Sequence, residues 1–230
     1  MSYKNLFFDL DDTLWAFSLN ARDKYEEMYW KYEYNRFFDS FEHYYSLYHH
    51  RNLELWAEYA DGKVTKEELN RQRYLYPLKA VGICDSALAK AYEKDALAAI
   101  PTKSKLMPHA REVLEYLSSK YNLYILSNGF KELQSHKMHS SGIDKYFKKI
   151  VLSDDIGVLK PWPEIFYFAL SATQSELKDS LMIGDSWEND IAGAAGVGMH
   201  QVFYNLSGRM DLPFMPTYQI SDLKELLDLL

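Results

Sequence analysis

The chain has 230 residues, 47% apolar and 26% charged, a balance that excludes a disordered or collagenous polypeptide and suits one large domain or a core carrying an insertion. With 26 basic against 33 acidic residues the net charge is −7, which repels polyphosphate and anionic lipid and argues against a nucleic-acid or membrane partner. The lone Cys84 cannot form an intramolecular disulfide, acids interrupt the short apolar run in MSYKNLFFDLDDT, and no window approaches the roughly 20 apolar residues of a membrane span, so a cytoplasmic protein is expected.

Leu6 to Leu10 (LFFDL) is a short apolar run ending in acids, which predicts a buried strand that delivers carboxylates at its C-terminal end. From about Ser18 to Ile100 the spacing is helical and few residues are β-branched, which predicts four or five helices. The chain's aromatic content of 16% is concentrated between Tyr25 and Tyr76, marking this segment as a separate module. After Pro101 helix and strand alternate, the pattern of a parallel sheet with crossover helices. Pro108 is expected in the first turn of a helix carrying Ala110, Val113, Leu114 and Leu117 on one face. A strand at 122–127, a helix from about Lys131 ended by Gly142, a strand at 149–153, a helix at 164–173 and a strand at 180–185 follow. A helix at 189–195, a strand at 201–205 and a final helix capped by Ser221 complete the series. The expected architecture is α/β: a doubly wound, Rossmann-like parallel sheet formed by 1–17 and 101–230, with a helical-bundle domain inserted over 18–100. Such sheets bind ligands outside the carboxyl ends of their strands.

Asp9, Asp11 and Asp12, followed by Thr13, crowd the end of the first strand. Three acids so close repel one another, and a bound cation explains them better than an Asp-rich turn or cap. Calcium-loop spacing would need Gly at position 14 and Glu at position 20, where this chain has Leu14 and Asn20. A second acidic group, Asp185 to Asp190, also follows an apolar strand. Two acidic strand ends in one sheet can converge on one ion, and carboxylate oxygens favour Mg²⁺ over a softer metal. Asp185 is the stronger ligand candidate, whereas Asp190 could equally serve a helix start. Ser127-Asn128-Gly129 opens a helix with groups able to hold a phosphate oxygen. Lys160, ahead of Pro161, would neutralise charge beside Asp9 and Asp11.

These four segments, in this order and over nearly the whole chain, resemble the haloacid dehalogenase superfamily of phosphohydrolases. Its hhhDxDxT pattern is matched by Phe7 to Thr13, hhh[ST]N by Ile125 to Asn128, the lysine motif by Lys160-Pro161, and GDxxxxD by Gly184-Asp185 through Asp190. The resemblance implies an Mg²⁺-dependent phosphomonoesterase in which Asp9 is the nucleophile, forming an aspartyl-phosphate, and Asp11 the general acid and base. It also implies that Asp9, the backbone carbonyl of Asp11 and Asp185 hold Mg²⁺. Ser127, Asn128 and Lys160 would bind the phosphate, with Asp190 and Thr13 orienting the metal shell. The dehalogenase branch lacks an acid at the Asp11 position, so a phosphatase is implied.

The helical segment falls where the family places an α-helical cap of the first subclass, which closes over the site and selects the leaving group. Leu55-Trp56, Tyr59, Gly62, Thr65 and Arg73 in this segment, together with Phe130, Leu133 and Gln134 after the second motif, resemble pyrimidine 5′-nucleotidases. A nucleoside 5′-monophosphate is therefore the expected substrate, with Trp15, Phe17, Tyr44, Tyr45 or Tyr48 as candidates for base stacking against the alternative that they are bundle core. A sugar-phosphate or phosphoglycolate phosphatase is the alternative within the superfamily, and an inactive binding module the alternative outside it. The protein is expected to be a monomer or small homo-oligomer acting on a small phosphorylated metabolite.

Overall fold

In the computed structural model, which describes residues 3–230, Asn5–Phe8 (β1) is buried at all four positions. That is the mark of a strand covered on both faces, for which a continuous apolar run is the natural sequence. β1 lies in the middle of a six-stranded parallel sheet of order β3-β2-β1-β4-β5-β6. Its neighbours are Asn122–Ser127 (β2) and Ser180–Gly184 (β4), so that Phe7 pairs with Tyr124 on one side and Met182 on the other. Lys149–Leu152 (β3) flanks β2, and His200–Tyr204 (β5) and Tyr218–Ile220 (β6) extend the other side.

Two compact units share the chain: the residues up to Phe17 with Lys103–Leu230, and Ser18–Thr102. The first contains the sheet and the helices Ala110–Ser118, Lys131–Ser141, Pro163–Thr173, Gly193–Gly196 and Leu226–Leu229. The second contains Phe17–Lys31 (α1) except for its first residue, which belongs to the sheet unit, with Phe41–Ala60 (α2), Lys66–Ala80 (α3) and Ser86–Ala99 (α4); the five helices of the sheet unit are α5 to α9 in the order given. α3 starts with a full capping box, in which Thr65 accepts the Glu68 N–H and Glu68 accepts the Thr65 N–H.

The sheet unit is closed by apolar packing of Phe7, Tyr124 and Met182 against Ile165, Phe166 and Ala169 of α7. Each fully buried Phe, Ile or Met side chain contributes about 1.5–3 kcal/mol. Where the chain leaves β1 and where it returns toward α5, two short segments run antiparallel. Trp15 bridges Leu106, Ala16 donates its N–H to Lys105 O at 3.1 Å, and Met107 donates to Leu14 O at 2.9 Å.

The helical unit is filled by tyrosines. Tyr25, Tyr44, Tyr48, Tyr74 and Tyr92 are all buried, Tyr34 stacks on Tyr92 at 4.9 Å, and the Tyr25 and Tyr48 hydroxyls lie 2.5 Å apart. Arg73 is buried among them, its guanidinium 5.1 Å from the Tyr74 ring centroid and bonded to the Asn52 and Asn70 side chains. The aromatic bias of the sequence is thus the packing material of this unit.

Several boundaries differ from the sequence expectation. The predicted helix at 189–195 is instead a π-helix over Trp187–Ala192 followed by the short α8. Asp222, not Ser221, accepts the N–H that caps the last turns, and Ser221 donates to Glu225 instead. Pro108 precedes α5, whose N-terminal flank is His109 in the left-handed region at φ 61°. β6 was not expected from the sequence. No helix among the described residues is long and apolar enough to cross a membrane.

Candidate active site

All the motif residues lie at or just beyond the carboxyl ends of β1, β2 and β4 or in the loop after β3, because parallel pairing in one register brings those ends together. Asp9 continues β1 by donating its N–H to Ile183 O at 2.9 Å. The turn behind it is tight: Leu14 and Trp15 both donate to Leu10 O, and Asp12 takes φ 58°.

Lys160 is the hub. Its Nζ donates to Asp9 Oδ1 at 2.7 Å, Asp190 Oδ1 at 2.6 Å and Leu126 O at 2.7 Å, which engages all three ammonium N–H groups. Burial works against its charge, yet the Asp190 and Asp9 carboxylates together raise its pKa, so it stays protonated. With its donors engaged, what Lys160 offers the site is its positive charge and a fixed orientation of Asp9. The Asn128 side chain is engaged as well: Oδ1 accepts the Lys160 N–H at 2.7 Å and Nδ2 donates to Lys160 O at 2.9 Å. It clamps the lysine loop, which uses one of the two N–H groups of Nδ2.

Asp9, Asp185 and Asp190 each offer an oxygen within 4.8 Å of the others. Burial, and then the neighbouring Asp190 and Asp185 carboxylates, raise the Asp9 pKa well above its usual value despite the opposing pull of Lys160. Burial first, then Asp190, push Asp185 up to about 7. Three carboxylates face a single ammonium, so this cluster must take up either protons or a cation. All-oxygen, hard ligands are the donor set of Mg²⁺, and the residues fit it. Asp190 is held by Lys160 and by the Ser186 N–H at 3.1 Å, which leaves Asp9 and Asp185 as the more available oxygens. Asp185 is oriented by Thr13, whose Oγ1 donates to it at 2.9 Å and accepts its main-chain N–H at 3.1 Å.

Ser127 is buried, and its Oγ accepts the Gly129 N–H at 3.1 Å and Gln134 Nε2 at 2.7 Å. Both acceptor positions are filled, so its own proton is available to a phosphate oxygen. Asp11, two residues past Asp9, is gripped by α6: Lys137 Nζ lies 2.7 and 2.9 Å from its two carboxylate oxygens, and Gln134 Nε2 donates at 2.9 Å. Lys137 had not been singled out from the sequence, and Gln134 only as part of the nucleotidase resemblance. Their signal was available, because the buried face of α6 is Gln134, Lys137, Met138 and Ser141, polar groups at helix-face spacing where apolar ones are the rule. Of the aromatic candidates, Trp15, Tyr44 and Tyr48 are buried, Tyr44 and Tyr48 within the tyrosine cluster.

The model of the haloacid dehalogenase-like hydrolase family matches residues 3–198. The chain belongs to this family. Among its relatives, the pyrimidine 5′-nucleotidase YjjG of Escherichia coli (strain K12) is 29% identical over 232 residues, covering 100% of this chain and 99% of that one. The pyrimidine 5′-nucleotidase PynA of Streptococcus pneumoniae (strain ATCC BAA-255 / R6) is 29% identical over 238 residues, covering 100% and 95%. A crystal structure of the HAD-hydrolase YfnB from Bacillus subtilis bound to magnesium superposes with a TM-score of 0.88 at 28% identity, covering 100% of this chain and 99% of that one. The six-stranded parallel sheet agrees with the α/β, Rossmann-like architecture expected from the sequence.

Proposed function

We propose that this hydrolase is an Mg²⁺-dependent phosphomonoesterase that works through an aspartyl-phosphate on Asp9 and acts on nucleoside 5′-monophosphates. The observation that carries the reading is the pairing of two carboxylates in unlike settings. Asp9 is buried and ion-paired to Lys160, while Asp11 is partly exposed and held from α6.

In the first half-reaction a carboxylate oxygen of Asp9 attacks phosphorus. The bond from phosphorus to the ester oxygen breaks, and that oxygen takes the proton of Asp11 as the alcohol leaves. In the second, Asp11 takes a proton from water as the water oxygen attacks phosphorus. The Asp9–phosphorus bond breaks, and inorganic phosphate leaves with the site restored. Mg²⁺ held by Asp9, Asp185 and the main-chain carbonyl of Asp11 would supply charge to neutralise the phosphate and the developing transition state. The Ser127 hydroxyl donates to a phosphate oxygen, and Lys160 balances the charge of Asp9. Thr13 and Asp190 orient the two sides of the cluster.

Support for nucleotides comes from YjjG and PynA, both named pyrimidine 5′-nucleotidases and both aligned over the whole chain. In this reading residues 18–100 form the specificity cap, and the enzyme works in the cytoplasm. The test is phosphate release by the purified protein, with and without Mg²⁺, from ribo- and deoxynucleoside monophosphates, sugar phosphates and phosphoglycolate. Mg²⁺-dependent preference for pyrimidine nucleotides is expected, with Asp9→Asn folded and at background. A preference for a sugar phosphate would keep the chemistry and remove the nucleotidase assignment; an active Asp9→Asn variant would remove the nucleophile.

A further inference from the structure

Asp11 sits in the tight turn beyond β1, and its carboxylate is held from a second element. Three hydrogen bonds reach it, all from α6: two from Lys137 Nζ, at 2.7 and 2.9 Å, and one from Gln134 Nε2, at 2.9 Å. Lys137 is itself buried, with only 4% of its side chain exposed, and Asp11 is its carboxylate partner. The Lys137 ammonium also lies 4.9 Å from the Trp15 ring centroid and 5.0 Å from that of Phe17. Two aromatic faces stabilise a cation at that spot and keep water from it. Trp15 is in turn fixed by an Nε1–H bond to Lys103 O at 3.2 Å.

Gln134 completes the arrangement. Its amide nitrogen donates to Asp11 and also to Ser127 Oγ, while its Oε1, fully buried, has no partner among the described residues. A buried amide oxygen without a donor costs about 1–3 kcal/mol, so something must hold the group in this orientation. The amide nitrogen, the donor end of the group, is the end turned toward the Asp11 and Ser127 oxygens. Gly129 makes room for it, since a Cβ there would stand 2.0 Å from Gln134 Nε2.

We infer that Lys137 and Gln134 are positioning residues that set the Asp11 carboxylate for proton transfer to the leaving oxygen, with Gln134 tying that carboxylate to the phosphate-binding hydroxyl of Ser127. This inference rests on the assignment of Asp11 as the acid and base made above. Correct placement of a general acid is worth about 10²–10⁴ in rate, and the benefit falls only on esters whose alcohol needs a proton to leave.

The experiment compares kcat/KM for the alkyl monophosphate that the wild type hydrolyses fastest with kcat/KM for p-nitrophenyl phosphate, whose phenolate leaves unprotonated. In Lys137→Met the alkyl ester is expected to lose about 100-fold and the aryl ester less than about 10-fold, with Lys137→Arg recovering part of the difference. Gln134→Leu, which removes both bonds without altering charge, is the second variant and should shift the same ratio in the same direction. Equal losses on the two esters in a folded variant would overturn the inference and leave Lys137 and Gln134 as packing. Asp11→Asn is the control: if it too shows no excess loss on the alkyl ester, the acid–base assignment itself fails, whereas an excess loss in Asp11→Asn alone overturns only the role of α6.

Discussion

A Cβ on residue 184 would stand 2.2 Å from Oδ2 of Asp190, the oxygen that accepts the Ser186 N–H. The glycine is there because the carboxylate is there. Gly184→Ala must push Asp190 away from its bonds to Lys160 and Ser186, and overpacking of this kind costs about 1–3 kcal/mol. A lower melting temperature and a marked fall in phosphate release are expected from thermal unfolding and steady-state assays. An alanine variant equal to wild type in both would separate Asp190 from the site.

Lys160→Met keeps most of the side-chain volume and removes the ammonium between Asp9 and Asp190. Breaking a buried ion pair from one side costs about 3–5 kcal/mol, because the partner charge is left in an apolar setting. Urea unfolding near neutral pH should show a loss of that order. The loss should shrink in mild acid, where the carboxylates can take up protons instead.

The raised pKa of Asp185, about 7, has a definite pH consequence. A carboxyl that binds its proton more tightly folded than unfolded contributes stability at low pH, and that contribution disappears as pH rises from about 3.8 toward 7. Without divalent cation the protein should therefore melt lower at about pH 8 than at about pH 5.5, and Asp185→Asn, which mimics the neutral carboxyl, should flatten the difference. Mg²⁺ competes with those protons, so its stabilising effect should be larger at the higher pH. Calorimetric scans at the two pH values with EDTA or Mg²⁺ check both directions, and an Mg²⁺ effect independent of pH would contradict the assignment.

Within the helical unit the tyrosines are not equivalent. Tyr34 is buried and its hydroxyl has no hydrogen-bond partner among the described residues, whereas the Tyr25 hydroxyl is 2.5 Å from that of Tyr48. Tyr34→Phe should leave stability unchanged or raise it by up to about 1 kcal/mol, while Tyr25→Phe should lower it by about 1 kcal/mol or more. Chemical denaturation of the two variants side by side decides this.

The strands β1, β2 and β4 were legible because burial on both faces demands unbroken apolar runs, and each run ended in the polar residues that now converge. β6 was not legible: Tyr218–Ile220 has three residues and one buried side chain, and its strand character comes from pairing with β5. The π-helix at Trp187–Ala192 was missed for a related reason, since the wider turn serves to seat Asp190 against Gly184 and Lys160 and leaves no trace in apolar periodicity. The four family motifs located the acids. They did not reveal that all three ammonium donors of Lys160 and one of the two amide donors of Asn128 are engaged by the protein itself, because hydrogen-bond saturation belongs to three-dimensional arrangement and not to residue type.

The antiparallel stitch of Leu14 to Ala16 against Lys105 to Met107 has a consequence for how this chain can diversify. Because the departing and returning segments are hydrogen-bonded side by side, the two ends of the intervening 18–102 segment are held together at one place on the sheet unit, and closing a shorter or longer connection across that junction changes the loop entropy only slowly with length. The junction works as a socket. A cassette of different helices could be spliced in, or the present one trimmed to a turn, with the carboxylates of the sheet edge left in register.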